Sequence, residues 1–231
     1  MDKRWLVLGG WSLPPDILRP LFGEGAEFID INVIMEKLID GAGSLNRNWH
    51  LILRRSIQQQ TQETFSGLAG WSTGAFCAYA LRQYFPLCGT LLISAAPSFC
   101  SRDDFPFGKN PSIIKIMRRQ LQQNKEAVLE SFWKQCGFTE DYLQPVQTNY
   151  SADTLQSGLL FLEQVSLLPL CKTDAPLHLF HGTNDAIIPV AGARIFEEAA
   201  GASAHYYPGN HVFFLEQNAQ HDIMECCKNC S

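Results

Sequence analysis

Ser72 lies between two glycines in the segment Gly70-Trp71-Ser72-Thr73-Gly74. The pattern G-x-S-x-G is typical of a sharp turn between a strand and a helix, where the serine hydroxyl projects above the edge of a sheet. The flanking residues fit that setting, because an apolar segment precedes the motif and small and apolar residues at helical spacing follow it. A serine hydroxyl becomes a nucleophile when a base takes its proton. We therefore predict that Ser72 is a catalytic nucleophile.

A base and an acid for this serine occur far downstream. His211 follows the last predicted strand, in "YPGNHVFFLEQ", and Asp185 directly follows an earlier strand, in "LFHGTNDAIIP". Asp185 would orient His211, and His211 would take the proton of Ser72, which together make a catalytic triad. The alternative role for Asp185 is that of an ordinary turn residue. The other histidines are interpreted as structural or as wrongly ordered along the chain: His50, His178, His181, His205 and His221.

An acyl-transfer site also needs hydrogen-bond donors for the oxyanion that forms on the attacked carbonyl. The backbone N–H of Thr73, the residue after the nucleophile, supplies one donor. We assign the second donor to the backbone N–H of Trp11, which follows Gly9 and Gly10 in the loop after the first predicted strand. The indole of Trp11 is predicted to line the substrate pocket. The alternative for the two glycines is a simple turn.

Short apolar strands alternate with helical segments along the chain, which indicates an α/β fold with a mostly parallel central sheet and helices on both faces. About eighty residues separate two of these strands, and this long insertion has two helical stretches, in "PSIIKIMRRQLQQNKEAVLESFWKQCG" and near 153–168. We predict a core domain of residues 1–98 and 170–231 and a helical cap insertion of residues 99–169. The predicted strands are Trp5–Leu8, Phe28–Met35, Trp49–Leu53 (which also fits a helix), the segment before Ser72, and runs beginning at Gly89, Pro176 and Ser203.

The motifs together resemble the α/β-hydrolase superfamily over nearly the whole chain. Within it, the segments "GGW", "GWSTG", "HGTNDAIIP" and "GNH" look most like those of the pimeloyl-[acyl-carrier protein] methyl ester esterases of biotin synthesis. The resemblance implies the α/β-hydrolase fold, a serine triad in the order Ser72, Asp185, His211, and no cofactor. It also implies a helical cap that receives an acyl chain bound to a carrier protein.

The predicted cap has a basic stretch in an otherwise acidic protein. Residues 109–125 contain five basic side chains and no acidic one. On a helix, Lys115, Arg118 and Arg119 share one face, which we expect to turn outward towards an acidic acyl carrier protein. Ile113, Met117 and Leu121 lie on the other face, which would turn towards the acyl chain. The alternative is an ordinary solvated helix face.

These features predict a serine hydrolase that cleaves a carboxylic ester through an acyl-enzyme. The preferred substrate is the methyl ester of pimeloyl-[acyl-carrier protein]. A broad carboxylesterase or thioesterase acting on small acyl compounds is one alternative. A non-catalytic ligand-binding protein of the same fold is another.

Composition gives no sign of nucleic acid or membrane as partner, since the net charge is only −5 and no apolar stretch is long enough to cross a bilayer. The start of the chain lacks the apolar run of a signal peptide, so we expect a cytoplasmic protein whose scattered cysteines are small buried hydrophobes. We predict no metal. The alternative is a zinc site in the tail "HDIMECCKNCS", with His221, Cys226, Cys227 and Cys230 as ligands.

Overall fold

The computed structural model describes residues 4–61, 64–86, 88–139, 142, 149–172 and 174–230, and within them six parallel strands form one sheet. The order of the strands across the sheet is β2-β1-β3-β4-β5-β6. Every residue of the central strands β1, β3 and β4 is buried, so both faces of the sheet are covered. The strands are β1 (Trp5–Leu8), β2 (Glu27–Ile29), β3 (Gly67–Trp71), β4 (Gly89–Ile93), β5 (Leu177–Gly182) and β6 (Ser203–Tyr207).

Helices connect the strands, and the parallel sheet with its helices confirms the predicted fold class. No helix in the described ranges is both long enough and apolar enough to span a membrane. The α-helices are α1 (Arg19–Phe22), α2 (Asn32–Leu38), α3 (Trp49–Gln60), α4 (Thr73–Leu81), α5 (Pro111–Gln123), α6 (Lys125–Cys136), α7 (Ala152–Gln164), α8 (Val190–Ile195) and α9 (Gln217–Asn229). Shorter helical turns cover Pro15–Leu18, Arg82–Tyr84, Phe196–Ala200 and Phe213–Leu215.

The strand order reverses at β1, because β2 lies on one side of it and β3 on the other. In open α/β sheets, ligands bind at such a switch point, outside the carboxyl ends of the strands. The register brings Leu8 level with Gly70 and brings Trp71 level with Ile93. The loops that follow β1, β3 and β4 therefore meet at one edge of the sheet. The loops after β1, β3, β5 and β6 contain the candidate site residues. We call these loop residues the catalytic edge, which comprises 9–13, 72–73, 183–188 and 209–212.

Two predicted strands are wrong. The segment predicted as a strand at 28–35 is divided between the short strand β2 and the helix α2, and the segment at 49–53 is the start of helix α3. In the first case, Asp30 ends the strand and its carboxylate accepts the backbone N–H of Asn32. Four apolar residues then recur at helical spacing and are buried: Ile31, Ile34, Met35 and Leu38.

Helices α5, α6 and α7 lie between β4 and β5, inside the predicted cap. We call residues 111–164 the helical segment, of which residues 140, 141 and 143–148 lie outside the described part. The long helical stretch predicted at its start is two helices, because the backbone of Asn124 is not helical and its side chain caps α6 by accepting the N–H of Ala127. The exact domain boundaries remain a prediction.

Candidate active site

Ser72 occupies the turn between β3 and α4. Its backbone has φ 55° and ψ −118°, in the region that non-glycine residues rarely adopt. Such backbone strain is concentrated at functional sites, where the surrounding structure maintains it. The turn places Ser72 at the first residue before the helix, so the amino end of α4 lies directly beside its side chain.

The glycines around Ser72 allow three backbone segments to touch. A β-carbon on Gly70 would overlap the carbonyl of Gly74, and a β-carbon on Gly74 would overlap the carbonyl oxygens of Leu8 and Gly9. The start of α4 therefore packs directly on the ends of both β3 and β1. This close packing explains why the motif needs glycine on each side of the serine.

His211 and Asp185 form a buried pair. The Nδ1 atom of His211 lies 2.7 Å from Oδ2 of Asp185, and both side chains are fully buried. The other carboxylate oxygen of Asp185 accepts the backbone N–H groups of Ile187 and Ile188, at 2.8 Å each. Burial acts to raise the pKa of Asp185, but attraction to His211 and these hydrogen bonds outweigh it, so the pKa lies below its ordinary value.

The ionised carboxylate can only accept hydrogen bonds, so Nδ1 of His211 carries the proton that is shared with Asp185. The opposite nitrogen, Nε2, is buried and has no hydrogen-bond partner among the residues that the structure describes. In a neutral imidazole this nitrogen has a free lone pair. His211 is therefore arranged to accept a proton at Nε2.

The loop that carries His211 is fixed against the strand of Ser72. The carbonyl of His211 accepts hydrogen bonds from the indole of Trp71, at 3.2 Å, and from the hydroxyl of Ser94, at 3.1 Å. The rings of Trp71 and His211 are 5.4 Å apart. The structure thus brings His211 against the residue that precedes Ser72. No hydrogen bond joins the Ser72 hydroxyl to another described residue, and catalytic hydrogen bonds often form only in the substrate complex.

The two predicted oxyanion donors lie at the catalytic edge. Among the described residues, no group accepts the backbone N–H of Trp11 or of Thr73, so both are available to a ligand. The indole of Trp11, predicted to line the pocket, is buried and donates through Nε1 to the carbonyl of Leu155 at 2.9 Å. It also packs edge-on against Phe132, with 4.8 Å between the ring centres.

Asn32 is a positioning residue that the sequence did not reveal. Its Oδ1 accepts the N–H of Ser12 at 2.9 Å, and its Nδ2 donates to the carbonyls of Gly10 and Leu13 at 3.1 and 3.3 Å. The amide therefore holds the loop that presents Trp11. Because residues 28–35 were predicted as a strand, Asn32 was not recognised as the first residue of helix α2.

His181 supports the loop of Asp185. It is fully buried, and its Nε2 lies 2.9 Å from the carbonyl oxygen of Ile188 and 3.7 Å from Oδ2 of Asp185. Burial lowers the pKa of His181, so the ring is neutral and Nε2 donates to Ile188. The structural role predicted for His181 thus includes fixing the loop of the candidate acid.

The helical segment contacts the catalytic edge through residues of α6 and α7 and through Gly137. Trp133 of α6 donates to the hydroxyl of Ser12 at 2.9 Å, and Leu155 of α7 accepts the indole of Trp11. A β-carbon on Gly137, just after α6, would overlap the side chain of Asn210, next to His211. Loops after β1 and β6 are therefore both packed against these helices.

Arg118 and Ile113 of α5 do not lie as predicted, whereas Lys115 is exposed and Leu121 is buried. Arg118 faces α7, where its Nη1 lies 3.1 Å from a carboxylate oxygen of Glu163, and Nζ of Lys115 lies 3.8 Å from the other oxygen. Arg119 is exposed. Ile113, which was predicted to face the acyl chain, is 45% exposed. The buried residues of α5 are Ile114 and Leu121, and the acidic Glu163 of α7 lies beside Lys115 and Arg118.

Comparisons with known proteins agree with the fold. No family model matches the chain. The chain is 28% identical over 217 residues to a pimeloyl-[acyl-carrier protein] methyl ester esterase of Serratia marcescens, which covers 86% of this chain and 82% of that protein.

Two solved structures extend the comparison. The esterase EaEST from Exiguobacterium antarcticum has a TM-score of 0.80 at 17% identity and covers 98% of this chain and 92% of its own. BioG from Haemophilus influenzae has a TM-score of 0.60 at 18% identity and covers 93% of this chain and 91% of its own. The α/β-hydrolase fold and the resemblance predicted from the motifs are both confirmed.

Proposed function

We propose that this chain, which is an ester hydrolase of the α/β-hydrolase fold, cleaves its substrate through a covalent acyl-enzyme formed on Ser72. The observation that carries this proposal is the strained turn at Ser72 together with the buried pair of His211 and Asp185 packed against Trp71. A serine on such a turn and a histidine oriented by a carboxylate are the parts that acyl transfer requires.

In the first half of the reaction, Oγ of Ser72 attacks the ester carbonyl carbon while Nε2 of His211 takes the hydroxyl proton. Asp185 stabilises the imidazolium that forms and does not itself take the proton. The N–H groups of Trp11 and Thr73 bind the negative oxygen of the tetrahedral intermediate. The carbon–oxygen bond to the alcohol then breaks, and His211 returns the proton to the leaving alcohol.

In the second half, water attacks the acyl-enzyme and gives its proton to Nε2 of His211. The same two N–H groups bind the second oxyanion. Collapse of this intermediate breaks the bond to Oγ of Ser72, which recovers its proton from His211. The products are a carboxylic acid and an alcohol, and the enzyme returns to its starting state.

The substrate we propose is the methyl ester of pimeloyl-[acyl-carrier protein], an intermediate of biotin synthesis. Support comes from the similarity to the Serratia marcescens esterase, whose name states this activity. The placement of the helical segment against the catalytic edge is also consistent with it, since these helices would lie beside the acyl chain of a bound ester. The alcohol released would be methanol.

We propose that the acidic acyl carrier protein docks on exposed basic residues of α5. Arg119 is exposed, and the Lys115 side chain retains 60% of its exposure beside Glu163. Arg118 is 29% exposed and paired with Glu163, so it would hold α5 on α7 rather than meet the carrier directly. Exposed positive charges near a site raise the rate of encounter with an acidic partner.

The nucleophile is tested by replacing Ser72 with alanine. We expect Ser72→Ala to abolish turnover of p-nitrophenyl esters and to abolish labelling by a fluorophosphonate probe. Ser66→Ala is the matched control, because Ser66 precedes β3 at the opposite end of the strand from Ser72 and should leave both signals intact. If wild-type protein does not react with the probe, the fold serves as a ligand-binding protein instead.

The substrate is tested by growth and by kinetics. A bacterial strain that lacks its biotin-pathway esterase should grow without biotin when it expresses this chain, and the Ser72→Ala variant should not restore growth. Purified enzyme should have a higher kcat/KM for the carrier-bound methyl ester than for free monomethyl pimelate. Equal values, without rescue of growth, would indicate a broad carboxylesterase or thioesterase.

A further inference from the structure

Three side chains of types that can bind a metal ion meet at the edge of the sheet opposite to Ser72. They are His178 near the amino end of β5, Cys226 in α9, and Cys230 just after α9. One ligand atom from each lies within 4.8 Å of the others, and the two sulfur atoms are 3.3 Å apart. Neither the proposed reaction nor its substrate uses these residues.

The fold builds this cluster from two elements that are distant in sequence. Cys226 and Cys230 are four positions apart, so a helix places them on the same face. Cys230 lies close to the sheet because Gly89 opposes it, and a β-carbon on that glycine would be 3.2 Å from the Cys230 β-carbon. The strand β5 then presents His178 to the two thiols.

The imidazole has an unmet hydrogen-bonding requirement. The Nδ1 atom of His178 is buried, and among the described residues it has no hydrogen-bond partner. A buried polar atom without a partner costs free energy, and native proteins satisfy most such atoms. A metal ion bound to the thiols and to Nδ1 of His178 would satisfy this nitrogen.

Two thiolates and one imidazole are a donor set that suits zinc. Tetrahedral zinc with bonds of about 2.3 Å to sulfur separates two sulfur ligands by about 3.8 Å. The sulfur atoms of Cys226 and Cys230 would therefore move apart by a few tenths of an ångström, which a helix end can accommodate. The three residues line a surface hollow, so a water can take the fourth position.

We propose that His178, Cys226 and Cys230 bind one Zn²⁺ ion that ties the C-terminal helix α9 to the sheet. On binding, each thiol releases its proton to solvent and forms a Zn–S bond, while the imidazole binds through a ring lone pair and the ion loses water ligands. The site revises the zinc alternative considered from the tail, because within the described residues His221 and Cys227 are not members of the cluster.

The metal's effect is structural, because the cluster lies at the amino end of β5 and Asp185 follows the carboxyl end. An ion that binds the folded state but not the unfolded state raises the midpoint of thermal unfolding. For a chain of this size, zinc at a hundred times its dissociation constant should raise Tm by about 5 °C or more. The kcat for a small ester should not change.

The test uses the full chain, freshly reduced, stripped of metal and kept under argon. We expect one equivalent of Zn²⁺ to bind and to displace from the protein a Co²⁺ probe whose spectrum has the thiolate charge-transfer bands of a cobalt–sulfur bond. Cys226→Ala should weaken zinc binding by about 100-fold or more. Cys227→Ala is the matched control, since it removes a neighbouring thiol of the same helix that lies outside the cluster.

His178→Gln provides a second measurement in case the cysteine variant does not fold. It should also weaken binding and abolish the rise in Tm with zinc. The proposal is overturned if wild-type protein binds no zinc, if Cys226→Ala and His178→Gln bind zinc as tightly as wild type, or if the cobalt complex lacks thiolate bands. None of these results would bear on Ser72.

Discussion

The catalytic edge and the helical segment differ in how their side chains are held. At the catalytic edge, Asp185 and His211 are buried; the Asp185 carboxylate accepts two backbone N–H groups of its own loop, and the backbone carbonyl of His211 accepts hydrogen bonds from the side chains of Trp71 and Ser94. On the helical segment, Lys115 and Arg118 of α5 are partly exposed and both make ion pairs with one acidic residue, Glu163. Ile113 and Ile116 of the same helix are 45% and 51% exposed.

This difference indicates which properties of the protein are sensitive to single substitutions. Buried groups held by hydrogen bonds tolerate few changes, so we expect the chemistry of the catalytic edge to depend on individual atoms. Exposed ion pairs contribute little free energy each. We therefore expect single substitutions on the helical segment to change substrate preference by small amounts. A single substitution at the catalytic edge should abolish turnover.

The largest effect is expected at the acid. In Asp185→Asn, the amide can donate to Nδ1 of His211 and so favours the tautomer whose Nε2 is already protonated. We expect kcat for a p-nitrophenyl ester to fall by about 10⁴-fold while the fold remains intact. Asp174→Asn is the control, because Asp174 is exposed and precedes β5. A loss of less than tenfold in Asp185→Asn would show that the pair is not catalytic.

The next effect concerns the packing beneath Ser72. In Gly74→Ala, the new methyl group overlaps the carbonyl oxygens of Leu8 and Gly9. We expect the free energy of unfolding in urea to fall by about 3 kcal/mol. Gly25→Ala is the matched control, since a β-carbon there meets no atom within 4 Å. Equal stability of the two variants would mean that α4 does not need its close contact with β1.

A smaller effect is expected where α2 supports the oxyanion loop. Asn32→Ala removes the hydrogen bonds that hold Gly10 and Ser12. We expect kcat to fall by about tenfold with little change in KM for a small ester, because the Trp11 donor is misplaced in the transition state. Asn48→Ala, at an exposed position before α3, should leave kcat unchanged. A change confined to stability would make Asn32 only structural.

The smallest effect is expected on the helical segment. Arg119→Glu should raise KM for the carrier-bound ester by about threefold and leave KM for p-nitrophenyl esters unchanged. Arg119 is the position of choice, because reversing the charge of Arg118 would place two carboxylates together at Glu163. Arg55→Glu, at an exposed site on α3, controls for net charge. The same change in KM for both substrates would remove α5 from carrier docking.

The sequence was most informative where backbone geometry limits the choice of residue. Gly70 and Gly74 mark a close crossing of backbone that no larger residue permits, so the turn at Ser72 was recognisable. The apolar runs of β1, β3, β4 and β5 predicted buried parallel strands, because a strand covered on both faces has apolar residues throughout. The triad remains a prediction, and the structure places its acid and base in hydrogen-bond contact.

The sequence was least informative where the outcome depends on partners distant along the chain. The apolar residues from Ile31 to Leu38 fit a strand or a helix, and the side-chain hydrogen bond of Asp30 decided for the helix. On α5, Arg118 pairs with Glu163, which is 45 positions away along the chain. A helical pattern locates an apolar face but does not say which part of that face another helix will cover.

The hydrogen bond between the indole of Trp11 and the carbonyl of Leu155 has a consequence for protein engineering. Grafting a foreign lid from a related enzyme onto this scaffold would displace the backbone carbonyl that accepts that indole and would remove the Trp133 donor to Ser12. Chimeras intended only to alter acyl-chain selectivity would then lose turnover with every ester. A successful graft would have to retain both of these anchoring contacts.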